Sequence, residues 1–367
     1  MKPPCVLVLN AGSSSLKFKV FGLESGLPTL TEGRITGLGV KPVFNTQDKS
    51  DILDLATSPA QGLALILDWL RDKLANFELQ CVGHRIVHGG RAFSEPVTLT
   101  PVIVGHLQAL VSLAPLHQPH NLHAIQVLAD DYPQLLQIGC FDTGFHTRQS
   151  PMFKRYALPN WLYERGVQRY GFHGLSYEWI AQTALQDPQL AKARIVAAHL
   201  GNGSSLCAIK AGESVDTTMG MTALDGLPMG TRCGSLDPGV VLFMQRELNM
   251  SANEIENVIS FQSGLKGLSG ISSDVRELLA SQDPAAQWAL DFYALMTAQQ
   301  IARMGVAMGG IDAMVFTGGI GENAQPVKDR ILSHLAWLPP FQVLTIPANE
   351  ERMIAQHCAK LWNKSKG

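Results

Sequence analysis

Near its start the chain reads Val8-Leu9-Asn10-Ala11-Gly12-Ser13-Ser14-Ser15-Leu16-Lys17-Phe18-Lys19, and farther on it reads His199-Leu200-Gly201-Asn202-Gly203-Ser204-Ser205-Leu206-Cys207-Ala208-Ile209. In each stretch an apolar strand enters a Gly/Ser turn and an apolar strand leaves it. Aligning Ser15-Leu16 with Ser205-Leu206 gives an offset of 190 residues, about half of the 367-residue chain. Two similar halves facing one cleft is the simplest reading. Chance recurrence of Gly/Ser turns in an α/β protein is the other.

Size agrees with two halves. A chain of 367 residues exceeds the length at which one hydrophobic core stops growing, and 46% apolar residues can fill two. Strand-like apolar runs at Val6–Leu9, Val82–Val87, Ile138–Phe141, Ile195–Leu200 and Met314–Thr317 alternate with segments of helical periodicity. The helical candidates are Gln61–Asn76, Leu122–Asp130, Tyr177–Leu185, Asn253–Phe261, Trp288–Met308 and Glu350–Trp362, and the alternation argues an α/β fold.

Net charge is −2 and no lysine/arginine run is present, so a nucleic-acid footprint or polybasic membrane anchor has nothing to rest on. The cysteines at 5, 81, 140, 207, 233 and 358 form no C-x-x-C pair, which suits reduced structural thiols. The start runs directly into a strand-length apolar run without the features of a signal peptide, and no apolar run approaches membrane-span length. A soluble, cytoplasmic protein is expected.

Turns built from Gly and Ser expose consecutive backbone amides and let the chain approach a ligand closely, so they commonly cradle phosphate oxygens. Asn10, Ser13, Ser15 and Lys17 add side-chain donors to the first turn. No G-x-x-x-x-G-K-[ST] occurs, which excludes a P-loop enzyme. A third cluster, Thr317-Gly318-Gly319-Ile320-Gly321-Glu322-Asn323-Ala324, superficially matches the dinucleotide fingerprint. That fingerprint expects an acid about 20 residues on at a strand end, whereas Glu350 opens a helix, so the cluster reads as a nucleotide-binding turn.

His117, His120 and His123 recur at spacing three and superficially resemble a metal site, but Pro119 is expected to interrupt any helix there. His117 reads as a donor at a ligand pocket, and His84 and His88 as packing histidines. Arg85 and Arg232 lie in glycine-punctuated segments, where a planar guanidinium fits carboxylate or phosphoryl oxygens; a surface charge is the plainer alternative. Asp142 ends a strand, where open α/β sheets place ligand groups, and His173 sits in Arg169-Tyr-Gly-Phe-His173-Gly174.

These stretches, together with Gly83-His-Arg-Ile-Val-His-Gly-Gly90, Ala114-Pro-Leu-His117, Phe141-Asp-Thr143, Met229-Gly-Thr-Arg232, Ser273-Asp-Val-Arg276 and Gly319-Ile-Gly-Glu-Asn323, come in one order along nearly the whole chain. The ordered set resembles the acetate kinase family. The resemblance implies two RNase H-like domains of the actin, sugar-kinase and Hsp70 type with an interdomain active-site cleft. It places the first domain at residues 1–148 with a returning helix at 350–367, and a nucleotide-binding domain at 149–349. It implies reversible, Mg²⁺-dependent phosphoryl transfer from ATP to acetate (Mn²⁺ able to substitute) and a homodimer.

Position by position, the resemblance implies that Asn10 and Glu350 serve the metal. Lys17, the stretch His199, Leu200, Gly201, Asn202 and Gly203, then Asp274, Val275 and Arg276, and Gly319, Ile320, Gly321, Glu322 and Asn323 would hold the nucleotide. Arg85 would bind the carboxylate, with His117 beside it, and Val87, Leu116, Phe172 and Ala223 would wall the acyl group. Asp142 is implied as catalytic, and His173 and Arg232 as transition-state stabilisers. The chain departs from the family pattern at Ala223, where proline is usual, at Cys233-Gly-Ser235, at Ala348 and in a shortened segment from Ala324 to Thr345.

A carboxylate acceptor is already ionised at pH 7, so no general base is required, and Asp142 is expected to orient Mg²⁺-bound water or an arginine instead. A kinase for propionate, butyrate or a sugar, a pyrophosphate-dependent enzyme, and an ATP-driven assembly protein remain as alternatives.

Overall fold

Val6, Leu7, Val8 and Leu9 are all buried, so the first strand has core on both faces, as a central strand does and an edge strand does not. It runs Pro4–Ala11 (β1). The computed structural model describes residues 2–12, 15–54, 57–115 and 117–366. The chain forms two units, Met1–Gly144 with Asn349–Gly367, and Phe145–Ala348.

In the first unit β1 is followed by β2 (Ser15–Gly22), β3 (Thr29–Thr36), β4 (Val43–Thr46), β5 (Ser50–Ile52), β6 (Glu78–Ile86), β7 (Val97–Thr98) and β8 (Leu136–Phe141), ordered β5-β4-β3-β2-β1-β6-β8-β7 in one sheet. β1, β2 and β3 pair antiparallel, whereas β6 joins β1 and β8 joins β6 in parallel. The helix Pro59–Lys73 starts with a capping box between Ser58 and Gln61 and turns Leu63, Ile66 and Leu70 into the core at three- and four-residue spacing. The helix Glu350–Ser365, capped by Asn349, buries Met353, Ile354, Cys358 and Trp362 and packs on β1 and β6.

The second unit holds β9 (Arg194–Leu200), β10 (Ser204–Lys210), β11 (Glu213–Thr217), β12 (Ala313–Thr317) and β13 (Gln342–Thr345), ordered β11-β10-β9-β12-β13. Here too the first three strands pair antiparallel, and β12 and β13 add in parallel. The string β3-β2-β1-β6-β8 therefore has the same order and the same strand directions as β11-β10-β9-β12-β13. The repeated turn motif thus belongs to a repeated RNase H-like sheet. The helix Pro284–Met308 covers the second sheet with Ala286, Leu290, Tyr293, Ala294, Ile301 and Met304, all buried.

All five expected strands appear, four of them inside a slightly longer one, while the expected Val82–Val87 runs one residue past the end of β6 at Ile86. One expectation fails. Pro119 does not interrupt a helix: the helix begins at Gln118 and runs to Asp131 with Pro119 in its first turn, where a backbone N–H would have no intrahelical acceptor to lose.

Candidate active site

The parallel register of β6 and β8 sets Arg85 beside Cys140 and Ile86 beside Phe141, so Asp142, the next residue, arrives at the end of β6. Its backbone N–H donates to the Ile86 carbonyl at 2.9 Å. Arg85 Nε donates to Asp142 Oδ1 at 3.1 Å and Oδ2 at 3.0 Å, and Nη2 lies 3.0 Å from Oδ2. One edge of the guanidinium is therefore held by a single carboxylate, and the edge toward Nη1 is left for another planar anion. Burial works to lower the Arg85 pKa, but Asp142 and Glu350 outweigh it and hold it above its ordinary value. Burial lifts the Asp142 carboxyl above the usual range against the pull of Arg85, and Glu350 pushes the same way as burial.

The segment after β6 is fixed by side-chain amides from the first turns of the helix Gln118–Asp131. Asn121 Oδ1 accepts from Val87 N at 3.1 Å, while its Nδ2 donates to the Ala11 carbonyl at 2.6 Å. Gln118 accepts from His88 N at 3.2 Å and returns a bond to the His88 carbonyl at 3.0 Å. Val87 is thus pinned at half-burial between a buried histidine and the end of β6. His84 and His88 are core groups, and burial pushes both imidazoles down to about 4.

In the second unit His173 occupies the position before the helix Gly174–Leu185 with a left-handed backbone, φ 58°. Its ring stacks on His199 at a centroid distance of 4.3 Å. A Cβ at Gly203 would lie 2.8 Å from Arg232 Nη2 and 3.4 Å from His173 Nε2, so both nitrogens converge on this glycine and a side chain there would collide with Arg232. Arg232 Nη1 donates to the Ala223 carbonyl at 2.5 Å. No carboxylate among the described residues pairs with Arg232, and burial pushes its guanidinium down to about 10.

Two glycine turns adjoin at the carboxyl ends of β9 and β12, where Thr317 pairs with His199. A Cβ at Gly201 would be 4.0 Å from Gly319 N, and one at Gly319 would meet nothing within 4 Å. Gly318 has φ +77°, and a Cβ there would lie 2.8 Å from the Leu200 carbonyl, so only glycine fits. Open sheets with parallel central strands bind ligands at such strand ends.

A family model described as the acetokinase family matches residues 5–340. The chain belongs to the acetokinase family. It is 44% identical over 390 residues to the acetate kinase of Rhodopseudomonas palustris (strain TIE-1), a match covering 97% of this chain and 98% of that one. Among solved structures it resembles a propionate kinase from Francisella tularensis subsp. tularensis SCHU S4 with a TM-score of 0.89 at 33% identity, covering 96% of this chain and 98% of that chain. The Porphyromonas gingivalis acetate kinase matches with a TM-score of 0.83 at 33% identity over the same shares.

In this acetokinase-family chain the expected nucleotide residues divide by what their side chains do. Leu200 and Val275 are buried in the core, so only their backbones could face a ligand. Glu322 Oε1 accepts from Gly318 N and Ala348 N, both at 2.9 Å, and so ties the turn to the chain ahead of Asn349. Asn323 Nδ2 closes the same turn on the Gly319 carbonyl at 3.0 Å. Asp274 caps the short helix Val275–Ala280 and pairs with the exposed Arg276. Ile320 is half-buried, Gly321 buried and Asn202 packed on Gly230. Asn10 and Lys17 face one another across the β1–β2 ladder, with Lys17 exposed. Phe172 is buried, and its carbonyl accepts from His146 Nε2 at 3.0 Å. His117 and Ala223 are half-buried, and Leu116 lies outside the described residues.

Asn10 and Glu350, both in the first unit, offer hard oxygen donors. Such a sparse set suits Mg²⁺, which commonly takes one or two protein carboxylates and fills its shell from water and substrate phosphates.

Sequence reading missed Gln118 and Asn121. Their signal is present nonetheless: both lie on the stripe that continues through Leu122, Ile125 and Leu128, and an amide on a buried stripe must find a backbone partner.

Proposed function

We propose that the protein is an acetate kinase, transferring the γ-phosphoryl group of ATP reversibly to acetate. The observation that carries this reading is Arg232, partly buried, without a carboxylate partner among the described residues, and converging with His173 Nε2 on Gly203. Two donors aimed at one Cβ-free point suit the equatorial oxygens of a phosphoryl group, where charge spreads in a loose transition state.

The acceptor is an ionised carboxylate at pH 7. Its oxygen attacks the γ-phosphorus as the bond to the β,γ-bridging oxygen breaks, giving acetyl phosphate and ADP, with no proton to remove. Arg85 binds the acetate carboxylate through the guanidinium edge that Asp142 leaves open. Asp142 acts through Arg85, since both its oxygens already accept from that side chain. Val87, Leu116, His117, Phe172 and Ala223 are the proposed acyl contacts. The turns around Gly201–Gly203 and Gly318–Asn323, with Lys17 and Asp274–Arg276, are proposed to hold the nucleotide through backbone amides and flanking side chains. Asn10 and Glu350 would hold Mg²⁺, which would supply charge neutralisation and orientation of the triphosphate.

The two units described above are the proposed domains, the second binding the nucleotide. We also propose a cytoplasmic homodimer. All six cysteines are free thiols, no helix of the described residues is long and apolar enough to cross a membrane, and Met152, Trp161 and Val306 leave apolar surface exposed on the second unit.

The test is a hydroxylamine trap. With MgATP and acetate the protein yields an acyl hydroxamate, and propionate, butyrate and glycerol run beside it. No hydroxamate from any acid of two to four carbons overturns the assignment, and product formed with pyrophosphate but not ATP overturns the donor.

A further inference from the structure

Ser205 lies at the start of β10 with no exposure, and its Oγ has two polar neighbours: His173 Nδ1 at 2.8 Å and the Tyr177 hydroxyl at 2.5 Å. A serine hydroxyl carries one proton, so it donates to one of these neighbours and accepts from the other.

Tyr177 decides the direction. It is fully buried, and burial raises its phenol well above the ordinary value, so it keeps a proton that must be placed in the core. Ser205 Oγ is the side-chain acceptor within reach. If Ser205 donated to Tyr177 instead, the phenolic proton would be stranded in the core without an acceptor, which is unfavourable.

We propose that Tyr177 and Ser205 are positioning residues that hold His173 as its Nε2–H tautomer, a role that rests on the reading of His173 as a phosphoryl-group donor. The chain of donation runs from Tyr177 Oη to Ser205 Oγ and from Ser205 Oγ to His173 Nδ1. With Nδ1 accepting, the imidazole proton sits on Nε2. Nε2 is the ring atom that converges with Arg232 Nη2 on Gly203. The opposite tautomer would present a lone pair to an anion there and repel it.

Two further constraints hold the ring. It stacks on His199 with an interplanar angle of 25°, and His199 is itself fixed by Nδ1 against Ser176 Oγ at 2.9 Å. The left-handed backbone of His173 is a costly conformation for a residue with a Cβ, and it places the imidazole at the position before the helix Gly174–Leu185.

The experiment is long-range ¹H–¹⁵N correlation on full-length protein labelled with ¹⁵N-histidine, at pH 8 and without substrates, with His173 assigned by the signals lost in His173→Gln. The expected wild-type pattern is Nε2 protonated and Nδ1 bare. In Ser205→Ala and Tyr177→Phe the His173 pattern should become mixed or invert. Their kcat should fall about 10- to 100-fold, the scale seen when a group that orients another functional side chain is lost, with KM for acetate and ATP within about twofold. Ser205→Thr, which keeps the hydroxyl, should restore both readouts.

A wild-type His173 protonated at Nδ1 overturns the proposal even if no variant folds. So do folded variants that keep both the tautomer and kcat. Because the spectrum needs no turnover, a protein that shows the tautomer yet phosphorylates no carboxylic acid would overturn the functional reading and leave the relay standing. An active enzyme with the wrong tautomer would do the reverse.

Discussion

Arg85 and Arg232 sit in units that share one sheet design, yet their surroundings are opposites. Arg85 leaves β6 and meets a carboxylate brought to it by β8, so its charge is compensated inside the protein and its pKa is held up. Arg232 lies in a loop, its guanidinium donates to the Ala223 carbonyl, and burial pushes it down to about 10. Taking a cation partly out of water without a counter-ion is costly, and the cost is recovered when an anion binds. The compensated arginine is thus built to hold a shape, and the uncompensated one to respond to charge. A substrate already carrying one negative charge suits the first, and charge developing on a phosphoryl group suits the second.

The largest consequence falls on Arg232. Arg232→Ala should lower kcat by a factor on the order of 10³ or more while leaving the fold intact, the scale of an arginine that stabilises a transferring phosphoryl group. Steady-state kinetics beside circular dichroism checks this. A folded variant with near-normal turnover would reduce Arg232 to a surface charge and erase the contrast with Arg85.

Much of this contrast was legible in the sequence as residue type, and little of it as geometry. The uninterrupted apolar runs of β1 and β9 announced strands, and the Gly/Ser turns that follow them pointed to the repeat, because both signals are local. The Arg85–Asp142 pair spans 57 residues and exists only because β6 and β8 run parallel in a register that brings their ends together. Asp142 was expected to orient either Mg²⁺-bound water or an arginine, and its two bonds to Arg85 favour the arginine. Pro119 was misread because its effect depends on where the helix begins, and a proline in a first turn has no hydrogen bond to break. The Tyr177–Ser205–His173 chain stayed hidden for a similar reason. It joins the helix Gly174–Leu185 to β10, and serine and tyrosine in apolar segments carry no mark of their partners.

A smaller effect is expected on the compensated side. Asp142→Asn keeps the size of the side chain but removes the charge that fixes the Arg85 fork, and bonds to charged groups are worth about 1.5–3 kcal/mol. The KM for acetate should rise roughly tenfold or more, by that energy, with the KM for ATP little changed. A variant that instead lost one limb of the pH–rate profile, at unchanged KM for acetate, would make Asp142 a general base and end its reading as the partner of Arg85.

The smallest effect concerns the acyl chain, and it tests whether shape and charge are separable. Val87 is pinned by Asn121 through its backbone, so Val87→Ala removes two methyl groups without releasing the segment. A methylene in an apolar pocket is worth about 1–3 kcal/mol, so the kcat/KM for propionate relative to acetate should rise several-fold. Ala223 is different, because its carbonyl holds Arg232. Proline at 223 keeps that carbonyl, stiffens the wall and should lower the propionate ratio. If the wall alone is altered, the kcat with acetate stays near wild type. If the substitution shifts the carbonyl, Arg232 moves with it and the kcat falls for both acids in equal proportion. Measuring kcat/KM for both acids in the three proteins separates these outcomes. Ratios unchanged in both variants would mean that neither residue touches the acyl group.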